Sequence, residues 1–550
     1  MPAPVTRAAG SLTLLLLLFV SPWSFAQQSF AQQSLAQQSV AQQSFAQQPP
    51  TSPPAGAARS APPAPQAPES KAKKKNDRKI SEQEARQLFA QVDEILRFVS
   101  QDTGLPIKHP VKRQLASREQ VRKYVTEKSK NDEDTKRLER TAIVLKKLGL
   151  LPRDFDLEKY LGDLLEEQVA GYYDAKTQTV YLLDWIEPDA QKAVLAHELT
   201  HALQDQSFDL EELLRHDLKE EDQSKALKAH APIEIRPDEP GTARQAVIEG
   251  QAMVVLVDYM LAPSGHSLAD SPLIGEMVKA GAKRQTDEMP LMSHAPLYLR
   301  DSLMFPYTYG MDFVADMLHR GGKELAFAGV LSKPPRNTRE VMEPKAYVAG
   351  EKIESLTLPN MRQLLGKAYE PYDVGSVGEF DVHGLLKQFA GEKTAERLSP
   401  KWRGGAYYAS ERTSGMAGKN ADCAAKPSDP KALEAQRVAC LSLLVETRWE
   451  TPEAANLFAQ RYASLLLVKY RFAQSLSDES AQPESQRQPG KRCFECVGGE
   501  RFQTDEGIVT IQQQGDRVLS LETFDDLVTP KLQQAVMPQQ TPPAAVRSPQ

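Results

Sequence analysis

Cysteine is scarce in this chain of 550 residues: there are four, and none precedes Cys423. A lipid-anchored envelope protein needs a cysteine directly after its leader, so that class is excluded. Charge of one sign is lacking too. With 67 Lys and Arg against 73 Asp and Glu, the formal charge is -6, which removes the basic field that a nucleic-acid partner would need. Only Leu12 to Val20, at the extreme N-terminus, is apolar enough to interest a membrane, so a multi-span transporter or channel is excluded as well. Histidine is rare, with nine in all, and any close pair of them therefore carries information.

Arg7 precedes the apolar stretch, and Ser24-Phe25-Ala26 follows it with small residues where a signal peptidase reads. Residues 1–26 are read as a cleaved secretory signal, because roughly nine apolar residues are half of the ~20 that span a bilayer. The expected location is secreted or periplasmic, with no membrane insertion after cleavage. From Ser24 to Gln48 the unit Ser-[Phe/Leu/Val]-Ala-Gln-Gln recurs five times, a Pro/Ala tract follows to about Pro68, and Lys71 to Lys79 is basic. This composition buries no core, so 27–80 reads as a disordered linker. Contact with cell wall or anionic lipid through the Lys-rich stretch is the alternative. Residues 531–550, rich in Pro and Gln, read as a disordered tail.

The fold class expected is α+β: a mostly helical zincin-type domain over 81–350 with a small β-hairpin or sheet, and a small α+β module over 356–530. Ser81-Glu82-Gln83-Glu84 is a capping box ahead of Leu88, Val92, Ile95, Leu96 and Val99 at helical spacing. A short strand is expected near Ile107 to Leu115, and Ser117 with Gln120 repeats the box. Val169 to Tyr173 and Thr179 to Leu183 flank a polar turn and predict a hairpin. In the second module Gly404 to Tyr408 and Leu441 to Thr447 read as strands, Pro452 to Tyr470 as a helix, and Gly507–Ile511 with Val518–Leu521 as a hairpin. That module holds Cys423, Cys440, Cys493 and Cys496, which predict two disulfides with three possible pairings, or a structural zinc at Cys493-x-x-Cys496. Asp381 and His383 read as surface.

The chemistry lies in Ala193-Val194-Leu195-Ala196-His197-Glu198-Leu199-Thr200-His201-Ala202-Leu203-Gln204-Asp205. On a helix His197 and His201 lie one turn apart on one face, spaced for a single Zn²⁺, with Glu198 beside them facing the water to be activated. With so few histidines, accidental His-Glu-x-x-His matches number on the order of 0.01. A catalytic zinc needs a third ligand. The segment Asp209 to Glu239, with His216 and His230, reads as a solvated excursion, and the next carboxylate in an apolar helical run is Glu249, within Ala243 to Met260. An acid there is costly unless paired, so Glu249 is the expected third ligand, with Glu239 and Asp258 as alternatives.

His-Glu-Leu-Thr-His-Ala, with Asp205 four residues beyond His201, resembles the zinc helix of thermolysin, and Glu249-Gly250-Gln251-Ala252 resembles the second metal helix of the gluzincin metallopeptidases. The stretch also resembles a group of bacterial secreted proteins in that clan, through Glu167 to Asp174, the zinc helix, Phe305 to Val314, and Pro334-Pro335 through Tyr347. The likeness is strong over roughly 140–350. It departs at Glu343, where His is expected, and at Met253, where an Asp is expected one turn after the third ligand. The resemblance implies one catalytic zinc, a peptide or protein substrate, Glu198 as general base, and Tyr307 of Tyr307-x-x-Gly310 as the donor to the oxyanion. Tyr309 and His294 are the alternatives to Tyr307. The hairpin offers an edge for an extended peptide. Two functions fit: a zinc peptidase, with or without latency conferred by residues 81–140, and a non-enzymatic envelope binding protein with a structural or vestigial zinc.

Overall fold

In the computed structural model, which describes residues 79–128, 132–168, 171–215, 227–236, 239–418, 421–476, 493–496 and 498–538, the first helix begins where the capping box places it. The expected signal, the Gln-rich repeat, the Pro/Ala tract, His216 and residues 539–550 lie outside the described residues; the start of the expected tail is corrected, because Thr529–Val536 is a helix that buries Leu532 and Val536 in an apolar cluster. Helix accounts for 59 % and strand for 18 %, which is the mixed α+β class expected.

Helix α1 (Glu82–Thr103) opens with the Ser81 hydroxyl accepting from the Glu84 N–H and the Glu84 carboxylate accepting from the Ser81 N–H. It stops at Gly104, whose φ of 72° suits a residue without Cβ. Its stripe of Leu88, Val92, Ile95, Leu96 and Val99 is buried against α5 (Pro188–Phe208). Strand β1 (Lys112–Ala116) then joins the hairpin of β2 (Gly171–Asp174) and β3 (Thr179–Leu183) in a three-stranded sheet of order β1-β3-β2, with β1 parallel to β3. Residues 81–116 thus supply a core helix and a sheet strand. Removing them would bare one side of α5.

Two long helices carry the centre of the molecule. From Ala193 to Gln204 every side chain of α5 is buried, and the same holds from Ala246 to Asp258 on α6 (Pro240–Leu261). Helices apolar on all sides belong in a core. Helix α7 (Leu297–Glu324) crosses α6 at the closest approach that backbones allow. A Cβ built on Gly250 would lie 2.3 Å from the Gly310 carbonyl, and one on Gly310 would lie 2.0 Å from the Ala246 carbonyl oxygen. Beyond α7 the chain makes one π-helical turn, Leu325–Gly329.

The end of the charged segment is not solvated. Ile233 and Ile235 are buried in β4 (Ile233–Ile235), which pairs with β5 (Leu356–Leu358), and buried Glu239 accepts from the Thr338 N–H and hydroxyl at 3.1 and 2.7 Å. The apolar contacts of β5 outweigh the charge of its neighbours, which composition alone could not show.

A seven-stranded antiparallel sheet follows. It comprises β6 (Tyr369–Ser376), β7 (Trp402–Arg412), β8 (Leu441–Trp449), β9 (Ala473–Ser475), β10 (Glu500–Thr504), β11 (Gly507–Gln514) and β12 (Arg517–Glu522), in the order β9-β10-β11-β12-β8-β7-β6. The core is continuous across the expected boundary near 350–356, for the cluster that contains Leu88 also contains Val518. Helix α3 (Asp132–Leu148) docks on the helix Pro430–Cys440 and on the sheet's strand ends through two buried lysines. Lys146 pairs with Glu434 at 2.5 Å, and Lys147 donates to Glu506 at 2.8 Å and to the Thr523 hydroxyl at 2.7 Å. Asp381 and His383 are buried too, a correction to their surface reading: Asp381 accepts from the Tyr298 hydroxyl, and His383 Nδ1 lies 3.1 Å from the Ser399 hydroxyl. Both sit on α8 (Glu379–Ala390), whose packing on α7 hides them.

The cysteines pair Cys423–Cys440 and Cys493–Cys496. The second pair closes on itself, so the structural-zinc alternative falls away. Two disulfides accord with an oxidising compartment.

Because the α6–α7 crossing has no room for a methyl group, Gly310→Ala is expected to force the helices apart and cost about 1–3 kcal/mol or more. Chemical denaturation of wild type and variant measures it, and an unchanged midpoint would contradict the close approach.

Candidate metal centre

Helix α5 starts at Pro188, where a missing N–H costs nothing, and is anchored by Gln191. The Gln191 amide accepts from the Leu183 N–H and donates to the Leu183 and Ile186 carbonyls, which fixes the end of β3 against the helix. About two to three turns on, His197, Glu198 and His201 project into the interior with 0–2 % of their surface exposed. Glu249 enters from α6 and is equally buried.

Three ligand atoms converge. His197 Nε2 lies 3.1 Å from His201 Nε2 and 3.2 Å from Glu249 Oε2, and His201 Nε2 lies 3.6 Å from the same oxygen. Atoms that share a tetrahedral zinc at about 2.0–2.1 Å stand about 3.4 Å from one another. The triangle therefore fits one such ion, and among the described residues it is the group of three or more donors able to hold a metal. Burial alone would push Glu249 up, but the two imidazoles beside it hold it down at about 2. Burial would likewise push His201 down, yet Glu249 beside it raises it to about 9. Without a metal the charged pair holds itself together.

The alternatives for the third ligand lie elsewhere. Glu239 and Asp258 stand ten and nine residues from Glu249 on one helix, on the order of 14 Å away along its axis. Glu239 is bonded to Thr338, and Asp258 accepts from the Leu268 N–H.

Glu198 points to the same centre. Its Oε2 accepts the Tyr173 N–H at 2.9 Å, and its acidity is reduced, first by burial and then by the charge of Glu249, against the opposing imidazoles. The bond also alters the reading of the hairpin edge. All four residues of β2 are buried, and a Cβ on Gly171 would come within 3.1 Å of Val194 on α5. The Tyr173 N–H at that edge is engaged by Glu198.

Tyr307 sits on α7 one turn before Gly310, so the glycine crossing that seats α7 on α6 carries Tyr307 to the centre. Its phenol is buried and held neutral, first by burial and then by the fields of Glu249 and Glu198. The alternatives point away. Tyr309 packs its ring tilted against Phe305 and edge-on to His383, and exposed His294 bonds the Pro290 carbonyl.

Compared with known proteins, the chain matches no family model, no curated protein and no solved structure.

Asp205, part of the likeness to thermolysin, does not touch a ligand here. It accepts from the Tyr173 hydroxyl and the Leu210 N–H, closing α5 where Asp209 takes a φ of 50°. Position 253, a Met, gives His197 no carboxylate, and His197 Nδ1 has no hydrogen-bond partner among the described residues. Two residues that sequence reading missed stand behind His201 instead: Gln204, 2.9 Å from His201 Nδ1, and Gln251, bonded to Gln204. The available signal was a glutamine in the middle of each buried helix.

A metal takes a lone pair that protonated His201 does not have, so binding must release its proton. Metal affinity is expected to rise about tenfold per pH unit as pH approaches about 9 from below and to level off above it. Competition against a chromophoric chelator measures it, and a flat profile would remove His201 from the ligand set. In the metal-free protein the raised His201 stabilises the fold below its ordinary value of 6.5, and that contribution is lost as pH rises through about 9.

Proposed function

We propose that this chain is an exported zinc-dependent peptidase of the gluzincin type, which hydrolyses peptide bonds with Glu198 as general base. The observation that carries the reading is the presence of two kinds of carboxylate in one buried centre. Glu249 is held ionised against both imidazoles, as a ligand must be, whereas Glu198 is held by a backbone N–H and has reduced acidity, as a proton carrier must have. A purely structural metal site needs the first and has no use for the second.

A zinc held by His197, His201 and Glu249 supplies the Lewis acidity that makes water a nucleophile at neutral pH. The rest is done by the chain. The Tyr173 N–H holds Glu198 Oε2, so Oε1 is the oxygen that takes a proton from the attacking water and passes it to the departing amine. The neutral Tyr307 phenol donates to the substrate oxygen as it gains negative charge, which strengthens that bond in the transition state. Burial of the centre keeps the local dielectric low and these interactions strong.

One observation favours the second reading, a structural or vestigial metal in a binding protein. The three ligands and Glu198 are buried almost completely, and a substrate needs an opening. Export, from the N-terminal segment and the disulfides, is common to both readings.

Glu198→Gln separates them, since the amide is nearly isosteric, accepts the Tyr173 N–H and accepts no proton. It is expected to keep the zinc and the fold and to lower hydrolysis of a broad peptide library by roughly 10²–10⁴. Tyr307→Phe is expected to lower kcat by roughly 10² with zinc content unchanged. If wild type and Glu198→Gln both carry zinc and are equally silent across the library, the peptidase reading fails and the binding reading replaces it.

A further inference from the structure

The two glutamines behind His201 form a directed chain. The π-helical turn Leu325–Gly329 offers the Ala326 and Phe327 carbonyls, and Gln251 Nε2 donates to them at 2.7 and 3.1 Å. Backbone carbonyls accept and never donate, so this end of the chain has one possible sense. Gln251 Oε1 must then face the other way, where it accepts from Gln204 Nε2 at 2.8 Å. Gln204 Nε2 also donates to the Ile248 carbonyl at 3.0 Å, which fixes its amide a second time. The Gln204 oxygen is left facing His201 Nδ1 at 2.9 Å. An oxygen in that place accepts, so Nδ1 carries the hydrogen and Nε2 of the neutral ring presents its lone pair toward His197 and Glu249.

We infer that Gln204 and Gln251 are positioning residues that set the tautomer of His201, with the proton sense dictated by the carbonyls of the π-helical turn. The inference rests on the zinc reading for its purpose and on hydrogen-bond direction for its argument. All the side chains in the chain are buried, so water offers no competing donor or acceptor, and a reversed amide would leave a buried oxygen against a carbonyl. His197 Nδ1 has no such partner among the described residues. The centre therefore has one imidazole whose Nδ1 is held by a relay and one whose Nδ1 is not, His197 being held through Nε2 beside Glu249. The relay ties together α5, α6 and the turn after α7, so it sets the tautomer and the helix spacing at once.

The test uses the full chain and separates the tautomer from packing. Gln204→Met removes the acceptor for Nδ1. Gln204→Glu keeps an acceptor there but loses the donor to Ile248 and Gln251 and adds a buried charge. A tautomer-setting role predicts zinc affinity near wild type for Gln204→Glu and about 10–100-fold weaker for Gln204→Met, while thermal stability falls at least as far in the Glu variant. A merely structural role predicts that affinity follows stability, with the Glu variant no better than Met, and that result overturns the proposal. The second readout needs no zinc. Nitrogen-15 NMR of His201 in metal-free protein above pH 9 should show the hydrogen on Nδ1 in wild type and a shift toward Nε2 in Gln204→Met. A wild-type ring with its hydrogen on Nε2 overturns the relay even if zinc binds, whereas an Nδ1 hydrogen in a wild type that binds no zinc sustains the relay and removes the zinc reading.

Discussion

Gly250 and Gly310 meet where α6 crosses α7, and the centre depends on that contact. Side chains ordinarily hold packed helices 8–10 Å apart, but here the backbones touch, and nothing larger than hydrogen fits between them. Glu249 precedes the first glycine and Tyr307 stands one turn before the second. The crossing therefore delivers a carboxylate and a phenol to the face where α5 presents its histidines. The glycines of Glu-Gly-x-Ala and Tyr-x-x-Gly thus have one shared physical explanation, which is that two helix backbones must touch there.

The second constraint is the cost of polarity in the core. Helices buried on every side normally carry no ionisable groups, and an unpaired charge there is strongly unfavourable. This centre meets the cost locally: Glu249 is set between two imidazoles, Glu198 takes a backbone N–H, and His201 is backed by amides that end on carbonyls. The π-helical turn contributes because its wider hydrogen-bond pattern leaves carbonyls for a side chain to use. Each interaction also aims its group, so satisfying the core and orienting the centre are the same act.

The C-terminal sheet is joined to the part that carries the candidate metal centre by charge as well as by apolar contact. Within the C-terminal part Glu522 takes Lys469 and the hydroxyls of Tyr462 and Tyr470, and the link across is Lys147 of α3, which donates to Glu506 and to the Thr523 hydroxyl beside Glu522. Buried pairs of this kind add little net stability against apolar replacements but penalise every misplacement. They fix how α3 lies on the sheet and make the early helices part of one structure with residues beyond 350.

The sequence by itself determined local structure and the metal motif. The capping box at Ser81, the hairpin around Asp174 to Gln178 and the one-turn spacing of His197 and His201 depend on neighbours in the chain, and periodicity and capping report such neighbours directly. Glu249 was legible for a related reason, since an acid in a long apolar run needs a partner. Strand β6, with Pro371 and Gly375, and strand β10, with buried Glu500 and Thr504, escaped notice because proline, glycine and buried polar side chains break the apolar alternation that marks a strand. Only the tertiary structure decided the fate of Asp205, Glu239, Asp381 and His383, the pairing of the cysteines, and the roles of Gln204 and Gln251. Each depends on a hydrogen bond or a covalent bond to a segment brought near by folding, and the direction of such a bond is a property of three-dimensional position that no local pattern of residues contains.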